Sequence, residues 1–368
     1  MQLTPAQQSA LAKARRWFHS GTESQKVFRI DGPAGSGKTS LVRAIIEKIG
    51  ANAAYLAPTN KAADLLRNNG CEPVYTVHKA LYTTRSQDDA ISKKEVLFFD
   101  SRLDDEYATK IIGEYDLLVL DEASMVGVKL AKELLRYEKL LVVLGDSAQL
   151  PPIDDDAYFT NDSSVPIDVA LDTVIRHQAE SEVLTAATSL RLGNGFGGAD
   201  VFAGQMTIES FAFELAQADQ VLCHTNYQRH TINTRVRKML GFTHALHVGD
   251  KLVAKKNDYR TGVFKGTLWR VIAFDGALVG LLPWEDLATT DSMERLVSVR
   301  ISVINSESPQ FEFGYAITVH SAQGSEWRDV AIVGSWLPNN RIGSEYNRWW
   351  YTAVTRASDS LMAIVQKR

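Results

Sequence analysis

Residues Asp31 to Ser40 read DGPAGSGKTS, and the fold turns on how that stretch is read. Gly32, Gly37, Lys38 and Thr39 satisfy the pattern G-x-x-x-x-G-K-[ST], with Pro33, Ala34, Gly35 and Ser36 filling the turn and Ser40 closing it. Working outward, Val27 to Ile30 has the apolar character of a short buried strand, and Leu41 to Ile46 that of a helix. That setting separates a phosphate loop from a chance run of glycines. Glycines let the backbone wrap a phosphate with its N–H groups turned inward, the new helix adds partial positive charge, and Lys38 adds a full one. Thr39 offers a hydroxyl to Mg2+. The stretch therefore predicts a nucleoside triphosphate site.

The chain has 368 residues, 45% hydrophobic and 23% charged, which is ordinary for a globular protein of two or three domains. Its apolar runs are strand-length and no basic-then-apolar leader opens it, so neither a membrane partner nor a signal peptide is expected, and residence is expected in the cytoplasm. Cys71 and Cys223 stand alone, so no disulfide framework or zinc site is expected. A net charge of −4 argues against a uniformly basic coat, not against a local nucleic-acid channel.

Upstream of the loop, Leu3 to Ser20 reads as an amphipathic helix capped by Thr4, with Pro5 at its first position and Gln7 as capping-box partner. Gln7 has a second reading of equal weight, an amide that reads a nucleobase edge. Downstream, the strand Ala53 to Ala57 runs into Pro58-Thr59-Asn60, and Tyr75-Thr76-Val77-His78 opens another element. Hydroxyls and fresh helix N-termini at strand ends suit a sugar–phosphate backbone; for each junction alone, helix capping is the simpler reading. From Thr83 to Gly113 the pattern loosens into a small insertion, in which Phe98 and Phe99 are either an exposed wedge or packing residues.

Leu117-Leu118-Val119-Leu120 followed by Asp121 and Glu122 has the form of a central parallel strand ending at a ligand site. Asp121 is assigned to Mg2+ and Glu122 to the attacking water. Leu140 to Asp146 repeats the form, and Gln149 follows it, placed to sense the terminal phosphate. The segment Asp154 to Asp168 reads as a solvated acidic loop, and a helical stretch is expected from Leu171 to Leu192. A second α/β unit opens at Ala218: Gln220 to His224 is its strand, and Thr225-Asn226 echoes Thr59-Asn60. Its helix carries Arg229, Arg235, Arg237 and Lys238, either a phosphate-binding face or a solvated one. Between His247 and Phe313 the composition turns to β, with strands expected at Lys251–Ala254, Trp269–Phe274, Ala277–Leu282 and Leu296–Ile304. Trp349 and Trp350 have apolar neighbours and are read as core.

Taken together, Gln7, GPAGSGKT, APTNKAA, TVHKAL, DEAS, GDSAQLPP, TVHSAQG and YTAVTRA occur in an order that resembles the superfamily 1 helicases of the RecD-like and Dda-like branch. The resemblance implies an α/β fold of two RecA-like lobes with parallel central sheets: residues 1–83 and 114–175 form the first, 176–246 and 314–368 the second. A small insertion at 84–113 is a candidate strand-separating pin, and 247–313 is a β-rich small-barrel insertion. It implies ATP and Mg2+ as ligands, with Gln7 on adenine, Gly324 and Glu326 beside the nucleotide and its ribose, and Arg176 and Arg356 on the phosphates. It places Thr59, Asn60, Thr76, His78, Thr225, Asn226, Thr318 and His320 along the strand. The implied activity is ATP-driven 5′-to-3′ movement on single-stranded DNA with unwinding at single-strand/duplex junctions, in company with replication or recombination proteins. An RNA-directed motor and a nucleotide-gated remodelling protein without unwinding are the alternatives.

Overall fold

The structure is a computed structural model that describes residues 4–20, 25–82, 84–89, 94–99, 105–153, 155–161, 165–172, 174, 181–195, 201–204, 211–243, 245–258, 261–284, 295–300, 304, 310–336 and 344–367. The chain divides into two units, Met1–Ala179 and Glu180–Arg368.

The first unit contains α1 (Pro5–Ser20), β1 (Val27–Asp31), α2 (Lys38–Ile49), β2 (Ala53–Ala57), α3 (Asn60–Asn68), β3 (Val74–Thr76), α4 (Val77–Leu81), β4 (Thr84–Asp89), β5 (Lys94–Phe99), α5 (Asp105–Gly113), β6 (Leu117–Leu120), α6 (Val128–Leu135), β7 (Leu140–Gly145), α7 (Tyr158–Asn161) and β8 (Val169–Ala170). Six of its strands form one parallel sheet in the order β3-β2-β6-β7-β1-β8. The unbroken apolar runs follow from this arrangement, because successive side chains enter different cores. Leu117, Val119, Val142 and Leu144 pack with α1, α2 and α3 on one face. Leu118, Leu120, Leu141 and Val143 pack with residues of α4, α5, α6 and α7 on the other. Leu41, Val42 and Ile45 anchor α2 with no exposed surface, each burial stabilising by roughly 1.5–3 kcal/mol. That anchoring holds the helix N-terminus, and with it the phosphate loop, at the carboxyl end of β1. The β4–β5 pair is an antiparallel hairpin apart from the six-stranded sheet; the side chains of Phe98 and Phe99 lie outside the described residues.

The second unit contains α8 (Glu182–Arg191), β9 (Val201–Gly204), α9 (Ala212–Gln217), β10 (Gln220–Cys223), α10 (Asn226–Met239), β11 (Lys251–Ala254), β12 (Leu268–Phe274), β13 (Leu278–Pro283), β14 (Val297–Arg300), β15 (Phe311–Phe313), β16 (Ala316–Thr318), α11 (Val319–Ala322), β17 (Trp327–Trp336), α12 (Ser344–Val354) and β18 (Ala357–Lys367). A parallel sheet, β16-β10-β17-β18-β9, forms its body. The β-rich insertion is a separate antiparallel sheet, β14-β13-β12-β11-β15, with its own core around Val263, Val271, Val279 and Leu281. Two RecA-like lobes with a β-rich insertion in the second are what the sequence implies, and the sheets have that form.

Three expectations need correction. The acidic segment 154–168 is not simply a solvated loop: Tyr158 to Asn161 form α7, Phe159 is fully buried, and Asp168 accepts from the Arg29 N–H at 2.8 Å. Its aromatic pair outweighs its acids. Leu171 and Asp172 are not helical, because the Leu171 N–H donates to Asp31 O at 2.8 Å and continues the extended pairing of β8. The helix expected there is α8, which starts at Glu182. Finally, α10 is not one solvated basic face. Arg229 and Arg237 are buried, paired with Glu312 and Asp250. Arg237 holds Asp250 through Nε and Nη2, both at 2.9 Å, and its guanidinium lies 3.8 Å from the centre of the Phe313 ring. These pairs pin the β-rich insertion to α10, leaving Lys238 exposed. Trp349 and Trp350 are core residues, as read.

Candidate nucleotide and nucleic-acid sites

The phosphate loop is built from two left-handed residues, Gly35 (φ 76°) and Gly37 (φ 78°), the second serving as N-cap of α2. Gly32 is required for a different reason: a Cβ there would lie 2.7 Å from Leu171 O. Its N–H donates to Gly145 O at 3.1 Å, which ties the loop to the end of β7. Lys38 Nζ donates to Gly32 O (2.8 Å) and Pro33 O (2.9 Å), so its charge rests over the loop's own carbonyls. Thr39 Oγ donates to Asp121 Oδ2 at 3.2 Å, bringing together the two residues assigned to Mg2+ across 82 positions of sequence. Burial pushes the Asp121 carboxyl above the ordinary carboxylate range, against the opposing charge of Lys38 and the bonds from the Glu122 N–H and Thr39. A carboxylate beside a hydroxyl and a lysine has the donor set that could hold a hard cation.

Glu122 is left-handed, with φ 50° and ψ 42°, and its N–H donates to Asp121 Oδ1 at 2.8 Å. A non-glycine residue held at positive φ stores strain, and such residues cluster where a side chain must be aimed. Four buried polar atoms in the motifs have no hydrogen-bond partner: Gln7 Nε2, Ser36 Oγ, Ser124 Oγ and Gln149 Oε1. Unsatisfied buried groups are costly, and a polar ligand is the ordinary remedy. The capping reading of Gln7 holds, and it leaves one amide donor over. Its Oε1 accepts from the Thr4 N–H (3.1 Å) and its own N–H donates to Thr4 Oγ (3.2 Å), completing the capping box, while Nε2 is left over.

Asp31 and Ser147 were not singled out in the sequence. Asp31 is buried, pairs with Arg29, and accepts from both the N–H (3.1 Å) and the Oγ (2.9 Å) of Ser147. It thereby fixes the loop carrying Gln149 to the residue that opens the phosphate loop. Its position directly before Gly32 and the serine within GDSAQ are the only sequence hints.

In the second unit, Arg356 is 4% exposed and donates through Nε to Thr352 O, through Nη1 to Ser325 O, and through Nη2 to Thr355 Oγ, each at 3.1 Å. All three acceptors are neutral. Ser325 lies between Gly324 and Glu326, so those residues and Arg356 are brought together; Gly324 is left-handed at φ 72° and Glu326 is exposed. Arg176 lies outside the described residues.

The residues assigned to a strand sit at four matching junctions. Thr59 caps α3, Thr76 caps α4, Thr225 caps α10 and Thr318 caps α11, each hydroxyl accepting from an N–H in the first turn. Capping is thus confirmed at each; the Thr318 hydroxyl also pairs with Ser321 Oγ at 2.9 Å. The junctions repeat between units. Thr59 (φ −129°, ψ 157°) corresponds to Thr225 (φ −119°, ψ 157°), and Thr76 (φ −75°, ψ 149°) to Thr318 (φ −75°, ψ 151°). Thr76 stands beside Ala57 in register, as Thr318 stands beside Cys223. The sequence Thr-Val-His-x-Ala recurs at the second pair, which carries His78 and His320. Asn60 and Asn226 open their helices, and Asn226 Oδ1 accepts from Arg229 Nε at 3.2 Å.

A family model described as an AAA domain matches residues 2–237, and one described as a UvrD-like helicase C-terminal domain matches residues 313–364. The chain is 28% identical over 362 residues to the ATP-dependent RecD2 DNA helicase of Deinococcus radiodurans, covering 90% of this chain and 46% of that protein. It is 24% identical over 293 residues to the ATP-dependent DNA helicase dda of Enterobacteria phage T4, covering 71% and 63% respectively. The chain thus spans about half to two-thirds of the length of these relatives. Among solved structures, a Pif1 helicase at forked double-stranded DNA matches with a TM-score of 0.61 at 19% identity, covering 99% of this chain and 92% of that one. Bacteroides Pif1 bound to single-stranded DNA matches with a TM-score of 0.59 at 19% identity and the same coverage. With the phosphate loop, the acidic strand end and the duplicated junctions in place, the chain belongs to the superfamily 1 helicases of the RecD/Dda type.

Proposed function

We propose that this chain is an ATP-dependent DNA helicase that moves 5′-to-3′ on single-stranded DNA and opens single-strand/duplex junctions. The observation that carries the reading is the repetition of Thr-Asn and Thr-Val-His junctions on neighbouring strands of both parallel sheets, in a chain whose first unit also holds a triphosphate site. A motor that walks along a polymer needs two comparable grips and one fuel site, and this arrangement supplies both.

In this reading Gly32 to Ser40 wrap the phosphates with backbone N–H groups, and Lys38 turns from the loop carbonyls to the terminal phosphates. Thr39 and Asp121 would hold Mg2+, which would offset phosphate charge there. Glu122 orients a water and takes its proton, Gln149 senses the terminal phosphate, and Arg176 and Arg356 offset charge that develops there. Gln7 holds adenine, while Gly324 and Glu326 lie by the nucleotide. Thr59, Asn60, Thr76, His78, Thr225, Asn226, Thr318 and His320 hold successive phosphates and sugars, and hydrolysis alternates the grips. The direction of travel is supported by the RecD-like resemblance. The test is ATP-driven unwinding of a short duplex bearing either a 5′ or a 3′ single-stranded tail. Unwinding of the 5′-tailed substrate alone is expected; unwinding from the 3′ tail alone would overturn the polarity, and unwinding of neither would overturn the helicase reading.

A further inference from the structure

Asn60 and Asn226 hold the same place in their units, each the first residue of a helix capped by a threonine. The two ends of an asparagine amide are opposite in kind, one an acceptor and the other a donor. Only the donor suits a phosphate oxygen. A strand contact therefore needs the amide turned one way, and the two units treat that need differently.

Arg229 lies three residues after Asn226 on α10, within side-chain reach of it. Its Nε donates to Asn226 Oδ1 at 3.2 Å. A guanidinium has donors alone, so the atom facing it is the amide oxygen, and the Nδ2 amino group is turned the other way. Asn226 is exposed and Arg229 buried, which puts the amino group on the solvent side. Among the described residues no acceptor takes its protons. The other branches of the guanidinium are engaged too: Nη1 pairs with Glu312 of β15, and Nη2 donates to His230 Nε2 at 3.1 Å. Glu312 also takes Lys255 Nζ at 3.1 Å. With all three branches held, the planar fork has one orientation. Glu312 and Lys255 both belong to the β-rich insertion, so the insertion fixes the arginine and the arginine fixes the amide. In the first unit the residue three after Asn60 is Ala63, a 0%-exposed methyl that can do neither.

We propose that Arg229 is a positioning residue for Asn226: braced by Glu312 of the β-rich insertion, it turns the Asn226 amino group outward to donate to a phosphate oxygen of the bound strand. The proposal rests on the strand-binding reading above and deepens it. The insertion thereby takes part in the grip of the second unit without itself touching the strand. Arg229 contributes its geometry and not its charge, which Glu312 offsets.

Lysine separates those two contributions. It places a methylene where arginine has Nε–H, while its ammonium still reaches Glu312. The experiment is equilibrium binding of a fluorescent oligo(dT) without nucleotide to the wild type, Asn226→Ala, Arg229→Lys and the double variant, with thermal unfolding of each to show that it is folded at the binding temperature. Asn226→Ala and Arg229→Lys are each expected to bind about tenfold more weakly, and the double variant no more weakly than Asn226→Ala. Arg229→Met, in which Glu312 keeps Lys255 as its partner, is the second variant, with the same expected loss and the same lack of effect on top of Asn226→Ala. Wild-type affinity in folded Arg229→Lys would make the charge the part that matters, and a loss that adds in full to that of Asn226→Ala would make Arg229 a packing residue; either overturns the proposal. So does wild-type affinity in Asn226→Ala. Absence of oligonucleotide binding by the wild type would instead remove the strand-binding reading beneath it.

Discussion

Replacing Gln7 by alanine separates the cap it closes from the base contact proposed for it. Its Oε1 closes the capping box on the Thr4 N–H, while its Nε2, in a residue only 1% exposed, is without a partner. Loss of the cap bond costs about 1 kcal/mol, which for a unit of this size lowers Tm by about 2–4 °C. Loss of a bond to the base removes a further 0.5–1.5 kcal/mol from binding, or about 2- to 13-fold in affinity. The second effect should be selective. Adenine offers a donor and an acceptor side by side, which an amide matches, whereas guanine offers two acceptors. Competition binding of ATP and GTP to wild type and Gln7→Ala, alongside thermal unfolding, reads both effects. The expected result is a small fall in Tm with a collapse of the preference for ATP over GTP. The same fall in Tm with an unaltered preference would show that Gln7 is a helix cap and nothing more.

Three other outcomes follow from the same geometry. Glu122→Gln should bind nucleotide as the wild type does and lose turnover by at least about a hundredfold, as expected for loss of a general base; single-turnover phosphate release checks this, and an unaltered rate refutes the assignment. Asp121→Asn tests the cost of a buried carboxylate. Its raised folded pKa means that the stabilising contribution is present below the ordinary carboxylate value and lost as the pH rises through the folded value, so above that window the charge is a burden. The variant, free of nucleotide, should therefore melt above the wild type while losing Mg2+-dependent turnover, and a lower Tm would contradict this. Asp250→Ala removes the 0%-exposed acceptor of Arg237, Tyr315 and the His247 N–H. Leaving the buried guanidinium unpaired should cost about 3–5 kcal/mol in urea unfolding of the second unit, and a loss below about 1 kcal/mol would show the pair to be incidental.

Much of the nucleotide site was legible because each of its parts is local. A phosphate loop, a strand ending in Asp121-Glu122 and a capped helix at Thr4 can be recognised from a few adjacent residues. The parallel strands were legible for the complementary reason: burial on two faces forces runs such as LLVL and LLVVLG. What escaped were consequences of long-range pairing. Arg229 and Arg237 have the spacing of an exposed basic helix, yet their acids lie at Glu312 and Asp250, across the β-rich insertion. Phe159 sits among acids and is nonetheless core, and Leu171 remains extended because β8 pairs with β1.

In the proposed function, hydrolysis in the first unit is harnessed to a strand held at the duplicated junctions. Steady-state phosphate release, measured with ATP and Mg2+ in the presence and absence of oligo(dT), tests it directly. The account predicts a rise in rate that saturates with oligonucleotide and is lost in Lys38→Ala. A rate indifferent to oligonucleotide at saturating concentration would contradict it.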